Sequence, residues 1–292
     1  MQVDGERMDN LPLISVHASY LLALGLFGVA LARRFLLVRT RVSVEPPALP
    51  AGKVEGWFYV PADLLCVLLF SLMYYAFAIL GAAAEGGKEN TYTPAALLFA
   101  IGIQVAVPAA AFAIMVGRVD PIRWLGLRWK EWMQVFGIAP LGVFAMFVFS
   151  IGLYLLGYQD MLVELGAAEE QAAVTMFREG EDTVTLIMMA FAAVIVAPIG
   201  EEIIFRGYLY PVAKKYAGSA IAALFSSLVF AGAHGNVAAL LPLFVFGLLL
   251  VAVYEYTGSI WAPIAVHFLF NGSTVAIQLL ARFADLPDSV AR

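Results

Sequence analysis

Residues 197–210, APIGEEIIFRGYLY, place three ionisable side chains inside an apolar stretch that extends from 184 to 210. The stretch is longer than the roughly 18 residues that mark a membrane-spanning helix. Because an ionisable side chain is costly inside hydrocarbon, each such residue needs a partner or a function. Glu201, Glu202 and Arg206 therefore indicate a membrane protein with a polar site between its helices.

The rest of the chain has the composition of a multi-pass membrane protein. Hydrophobic residues make up 62% of the 292 positions. Charged residues make up 13%, which is about half of the share in soluble domains. We expect an all-α, polytopic transmembrane helical bundle of about eight spans. The candidate spans are 11–32, 59–83, 94–116, 133–157, 184–210, 217–236, 238–256 and 259–281.

Basic residues are concentrated in the loops after the first, third and fifth spans, which the positive-inside rule assigns to the cytoplasm. The loop after the fourth span is acidic, and we place it outside. With eight spans, both termini are then predicted to lie outside. We expect an integral, multi-pass protein of a prokaryotic cell membrane, in contact with membrane lipid.

Two connecting segments have distinctive compositions. Segment 117–132 interleaves Trp124, Trp129 and Trp132 with basic residues, which predicts an amphipathic elbow in the headgroup region. Segment 42–56 contains three prolines and is predicted to be a linker without a core. The net charge of −5 and the lack of a basic block argue against nucleic acid as a partner.

Two further polar motifs lie in the last four spans. FAGAH places Phe230 and His234 four residues apart, and HFLFN does the same for His267 and Asn271. Residues at this spacing share one face of a helix. Glu202 and Arg206 have the same spacing, so that we expect them to form an ion pair.

Glu201 lies about 100° around the helix from Glu202, and is predicted to point into the bundle. If the two helices are antiparallel about the turn near Ala217, Glu201 and His234 are level with each other. A buried carboxylate and a neutral histidine on opposite sides of a pocket are suited to activating a shared water molecule.

The second pair supplies hydrogen-bond donors. An imidazole N–H from His267 and an amide N–H from Asn271 are suited to binding the oxyanion that forms during amide hydrolysis. Phe230 is expected to shape the pocket. Cys66, the single cysteine, has no neighbouring histidine in the sequence, and it excludes an intrachain disulfide.

In order along the chain, the three motifs match EExxxR, FxxxH and HxxxN/D, and the sequence resembles the CPBP family, also called ABI. Its best-known members are the type II CAAX prenyl endopeptidases. The resemblance implies a glutamate-type intramembrane endopeptidase that cleaves a peptide or a lipidated protein. It assigns water activation to Glu201 and His234, and oxyanion binding to His267 and Asn271.

The resemblance also divides the chain into three parts. The first part, residues 1–183, would contain the N-terminal transmembrane helices, the amphipathic elbow and the acidic loop. The second part, residues 184–281, would be the CPBP-like intramembrane protease core, and residues 282–292 would form a C-terminal tail. Substrate identity, prenylation and oligomeric state stay open.

Two alternatives have different chemistry. Glu201, His234 and His267 are a possible zinc-ligand set, as in a metalloprotease, although no HExxH motif accompanies them. We expect no metal, because the same residues already provide water activation and oxyanion binding. A non-enzymatic role in bacteriocin self-immunity or membrane transport would use the polar groups as a proton or substrate path.

Overall fold

The computed structural model describes residues 11–39, 52–56, 58–85, 93–165, 167, 172–180 and 182–283, and within them it contains helices but no strands. This confirms the all-α polytopic bundle. The helices are α1 (Leu11–Arg39), α2 (Pro61–Glu85), α3 (Pro94–Met115), α4 (Pro121–Trp124), α5 (Val135–Leu155), α6 (Tyr158–Glu164), α7 (Ala172–Glu179), α8 (Thr183–Ala217), α9 (Ser219–Gly232), α10 (Val237–Thr257) and α11 (Trp261–Phe283).

Seven helices of the described part are long and apolar enough to cross a membrane, namely α1, α2, α3, α5, α8, α10 and α11. The predicted span 217–236 is wrong as a full-length crossing. Its helix, α9, has 14 residues and is about 21 Å long at 1.5 Å per residue, which is less than the roughly 30 Å of hydrocarbon. Glycine backbones with positive φ lie on both sides of it, at Gly218 and Gly235. The location of the termini stays a prediction.

The short helix α9 is at the centre of the bundle, where it packs against α1, α8 and α10. Its side chains Phe225 and Phe230 are fully buried. The outer helices instead expose apolar side chains, such as Phe99 at 72% and Leu155 at 77%. An apolar exterior around a packed core is what a lipid environment requires.

The elbow, residues 117–132, contains both an exposed and a buried tryptophan, and its location in the headgroup region stays a prediction. Trp132 is 54% exposed, but Trp124 is only 4% exposed. The ring of Trp124 packs against Phe112, and its N–H donates a hydrogen bond to α8. The elbow is therefore anchored in the protein at one end.

The predicted linker also needs correction where it is described. Val54 is buried, and the N–H of Lys53 donates to the carbonyl oxygen of Glu255 at 3.0 Å. Residues 52–56 are thus attached to α10. Residues 42–51 and most of the predicted tail, 284–292, lie outside the described residues.

Candidate active site

Helix α8 departs twice from α-helical geometry. Residues Ala192–Val196 and Glu202–Leu209 form π-helical turns, a feature that often marks functional sites. Prolines follow both segments, at Pro198 and Pro211. Because proline has no N–H, it leaves a carbonyl oxygen of the preceding turn free for a partner outside the helix.

The buried centre of the site is the carboxylate of Glu202. Its Oε1 accepts a hydrogen bond from Nη1 of Arg206 at 2.9 Å, so the expected ion pair is present. Nη2 of Arg206 donates to the carbonyl oxygen of Gly247 at 3.2 Å. The side chains of Glu202 and Arg206 are at most 1% exposed, which explains why each needs a partner.

The same carboxylate also contacts His267 on α11, which the sequence did not predict. Nδ1 of His267 lies 2.8 Å from Oε1 of Glu202. Because this oxygen already accepts from Arg206, Nδ1 is the donor of the pair, as in carboxylate–histidine pairs that fix the orientation of the ring. Glu202 is therefore both the ion-pair partner of Arg206 and the group that orients His267.

Glu201 faces the other nitrogen of His267. Its Oε2 lies 3.9 Å from Nε2 of His267, which is longer than a hydrogen bond. This oxygen is buried and, among the described residues, has no hydrogen-bond partner. A carboxylate oxygen of Glu201 is thus an unoccupied acceptor beside a histidine whose ring is already held.

Phe230 lies between the two histidines of the site. Its ring centroid is 5.0 Å from that of His234 and 5.9 Å from that of His267. The guanidinium of Arg206 lies over the same ring at 4.5 Å. Phe230 thus packs against three of the predicted polar residues.

The hydrogen bond of His234 is made within its own part of the chain and not with Glu201. Nδ1 of His234 lies 2.9 Å from the carbonyl oxygen of Phe230 in its own helix. Within the described part of the chain, no hydrogen bond joins His234 to Glu201. As a whole residue, His234 is exposed.

Asn271 joins α11 to the first π-helical turn of α8. Its Nδ2 donates to the carbonyl oxygen of Ala193 at 2.8 Å. In the π-helical register, the donor to this oxygen would come from position 198, which is a proline. The amide group carries two N–H bonds, so one donor remains for a ligand.

The alternative zinc set is not assembled in this arrangement. A catalytic zinc site needs three protein ligands within about 2.3 Å of the ion. Among the described residues, no group of three His, Cys, Asp or Glu side chains has a geometry that could hold a metal. Glu201 and His267 approach each other, but Phe230 lies between His267 and His234.

An apolar cleft of about 180 Å³ lies between α8 and α11. Its α8 lining ends at Ile199, two residues before Glu201, and its α11 lining includes Phe268, which follows His267. The lining residues are Val194, Ile195, Pro198, Ile199, Trp261, Ile264, Ala265 and Phe268. The cleft is thus an apolar space between the two helices that carry Glu201 and His267, and none of the predicted site residues is part of its lining.

Comparisons with known proteins match the region of the chain that contains these residues. Residues 183–273 match the family model of the type II CAAX prenyl endopeptidase Rce1-like proteins. YdiL of Bacillus subtilis (strain 168), whose name describes a membrane peptidase, is 32% identical over 109 residues, or 35% of this chain and 45% of YdiL. The membrane-embedded CAAX protease MroQ of Staphylococcus aureus (strain USA300) is 34% identical over 96 residues, or 31% of this chain and 39% of MroQ.

The alignments cover less than half of the length of both curated relatives. No solved structure matches the chain. The matched region nevertheless contains all three motifs and every predicted site residue. The family-model match and the two relatives together agree with the predicted resemblance of residues 183–273 to the CPBP family.

Proposed function

We propose that this protein is an intramembrane endopeptidase that hydrolyses a peptide bond of a membrane-associated or lipidated substrate. The observation that carries the proposal is the unpartnered, buried carboxylate oxygen of Glu201 beside the held ring of His267. A free carboxylate oxygen in a largely apolar site is placed to accept a proton from water. The family match of residues 183–273 and the names of the two relatives, a membrane peptidase and a CAAX protease, support the same reaction class.

In this proposal, Glu201 takes a proton from the attacking water molecule, and Nε2 of His234 binds the same water. The water oxygen forms a bond to the scissile carbonyl carbon, and the carbonyl oxygen becomes an oxyanion. The proton held by Glu201 then passes to the leaving amine as the carbon–nitrogen bond breaks. This reaction requires substrate to bring the water close to both helices, since Glu201 and His234 are not hydrogen-bonded to each other.

The oxyanion would be bound by Asn271 and His267. Asn271 contributes the N–H that is not donated to Ala193. Because Nδ1 of His267 donates to Glu202, His267 donates from Nε2 only as the imidazolium, in which both ring nitrogens are protonated. In other hydrolases, removal of one such fixed donor lowers kcat by about 10²–10³.

The substrate class is proposed from the surroundings of the site. The cleft between α8 and α11 has an apolar lining, and the helices around it expose apolar side chains. A peptide that is held at the membrane by its own apolar segment or by a lipid has access to such a site. No metal is part of this proposal.

The test is cleavage of quenched fluorescent peptides, prenylated and unprenylated, by protein purified in detergent. We expect Glu201→Gln to lower kcat by about 10²–10⁴, the contribution of a general base. Glu164→Gln changes an exposed carboxylate on α6 in the same way and should leave cleavage unchanged. Full activity of Glu201→Gln would contradict the proposal, whereas inactive wild-type protein with every peptide would favour an immunity or transport role.

A further inference from the structure

The elbow contacts both helices of the candidate site, although it lies outside the region that matches the family model. We propose that the elbow positions the site by holding α8 and α11 in register, with Trp124 as the main positioning residue. This inference rests on the proposed function, because it concerns the geometry of the same reacting groups.

The contact with α8 is made at the carbonyl oxygen of Gly207. This oxygen lies within the π-helical segment, one turn before Pro211, which has no N–H to donate to the helix. Nε1 of Trp124 donates to it at 2.8 Å, and the hydroxyl of Tyr59 donates at 3.1 Å. Both side chains are buried, so these hydrogen bonds are shielded from solvent.

Gly207 lies directly after Arg206, and its lack of a side chain lets the elbow approach. A Cβ atom at position 207 would lie 2.8 Å from Cδ2 of Leu125. The elbow therefore contacts α8 within the π-helical segment that carries Glu202 and Arg206.

The contact with α11 is made at the next two residues of the elbow. The carbonyl oxygen of Leu125 accepts a hydrogen bond from the N–H of Ile260 at 3.0 Å, one residue before α11 begins. Gly126 has φ of +61°, and a Cβ atom there would lie 1.9 Å from the carbonyl oxygen of Gly258. Glycine at position 126 thus permits a close approach that other residues would prevent.

At the beginning of the elbow, Arg118 forms an ion pair with Asp63 on α2, and Asp63 also accepts a hydrogen bond from α8. Arg118 donates to Oδ1 and Oδ2 of Asp63 at 3.0 and 2.7 Å, a bidentate geometry that defines both side chains. The hydroxyl of Tyr208 donates to Oδ1 of the same carboxylate at 2.8 Å. The hydrogen bonds to Asp63 raise the pKa of Arg118, which keeps its guanidinium charged.

In this proposal, the contacts of the elbow with α8 and with the residue before α11 keep Glu202 and His267 at their observed separation. Glu202 is on α8 and His267 is on α11, and their 2.8 Å contact exists only while the helices keep their relative positions. In enzymes, a displacement of about 1 Å costs roughly 10²-fold in rate. The hydrogen bonds of Trp124 and Leu125 therefore support the orientation of His267 without contacting substrate.

The test compares Trp124→Phe with Trp132→Phe. Trp124→Phe keeps an aromatic ring but removes the N–H that Gly207 accepts, whereas Trp132 is exposed and belongs to the same elbow. We expect Trp124→Phe to lower kcat by about tenfold, as a small displacement of reacting groups would, with KM changed by less than a factor of about two. Tyr59→Phe, which removes one hydroxyl, is the milder second variant if Trp124→Phe folds poorly.

Hydrogen–deuterium exchange of peptides from α8 is measured on the same proteins. We expect faster exchange between Glu202 and Ala217 in Trp124→Phe than in Trp132→Phe. Equal kcat and equal exchange in these two variants would overturn the positioning role, as would a change in KM alone. Glu201→Gln is assayed in parallel, so that loss of the proposed function is recognised separately. If wild-type protein cleaves no peptide, the exchange measurement decides the role of the elbow.

Discussion

Nδ1 of His267 and Oε1 of Glu202 lie 2.8 Å apart, in the interior of the protein. Through this contact, the ion pair within EEIIFR is connected to the first residue of HFLFN. Glu202 is therefore shared between a structural partner, Arg206, and a proposed reacting group, His267. The following variants separate these two roles.

Arg206→Met should destabilise the protein strongly, because it leaves the buried carboxylate of Glu202 without its cation. Breaking a buried ion pair in this way costs about 3–5 kcal/mol. Thermal unfolding in detergent measures the effect, with Arg33→Met, at an exposed position on α1, as the control. Equal unfolding temperatures of the two variants would show that the ion pair contributes little to stability.

His267→Asn should instead affect the reaction more than the fold. Glu202 keeps its bond to Arg206 in this variant, so we expect a much smaller decrease in unfolding temperature than for Arg206→Met. The loss of a donor to the oxyanion predicts a kcat lower by about 10²–10³. Unchanged kcat in peptide cleavage would exclude His267 from the mechanism.

Asn271→Ala is expected to have two effects. It removes the proposed oxyanion donor, and it leaves the carbonyl oxygen of Ala193 without its partner, which costs about 1–3 kcal/mol when such a group is buried. Ser273→Ala is the control on the same helix, because the hydroxyl of Ser273 donates to the carbonyl oxygen of Leu269 within α11. If both variants keep wild-type kcat while only Asn271→Ala unfolds more easily, Asn271 has a structural role alone.

Metal removal tests the zinc alternative directly. We expect cleavage to continue after treatment with a chelator, and purified active protein to contain far less than one zinc ion per chain. Elemental analysis and the peptide assay on the same sample measure both quantities. Activity that is lost with a chelator and restored by zinc would show that Glu201, His234 and His267 rearrange around a metal.

Much of the fold was predictable because the hydrocarbon thickness requires long apolar helices. Span 217–236 was misjudged because composition does not show where glycines end a helix, here leaving α9 with 14 residues. The burial of Trp124 was not predictable for a related reason. The aromatic and basic pattern of the elbow is typical of an interfacial segment, and it does not show that a carbonyl oxygen on α8 provides a buried partner for the N–H of Trp124.

Within the site, the four-residue spacing was enough to predict which residues share a helix face, including the Glu202–Arg206 pair, because side chains at this spacing lie together in a helix. The contacts of His267 with Glu202, of Phe230 with His267, and of Asn271 with Ala193 became known only from the packing of the helices. These contacts join different helices. Their geometry depends on π-helical turns and on helix packing, which the spacing of residues within one helix does not specify.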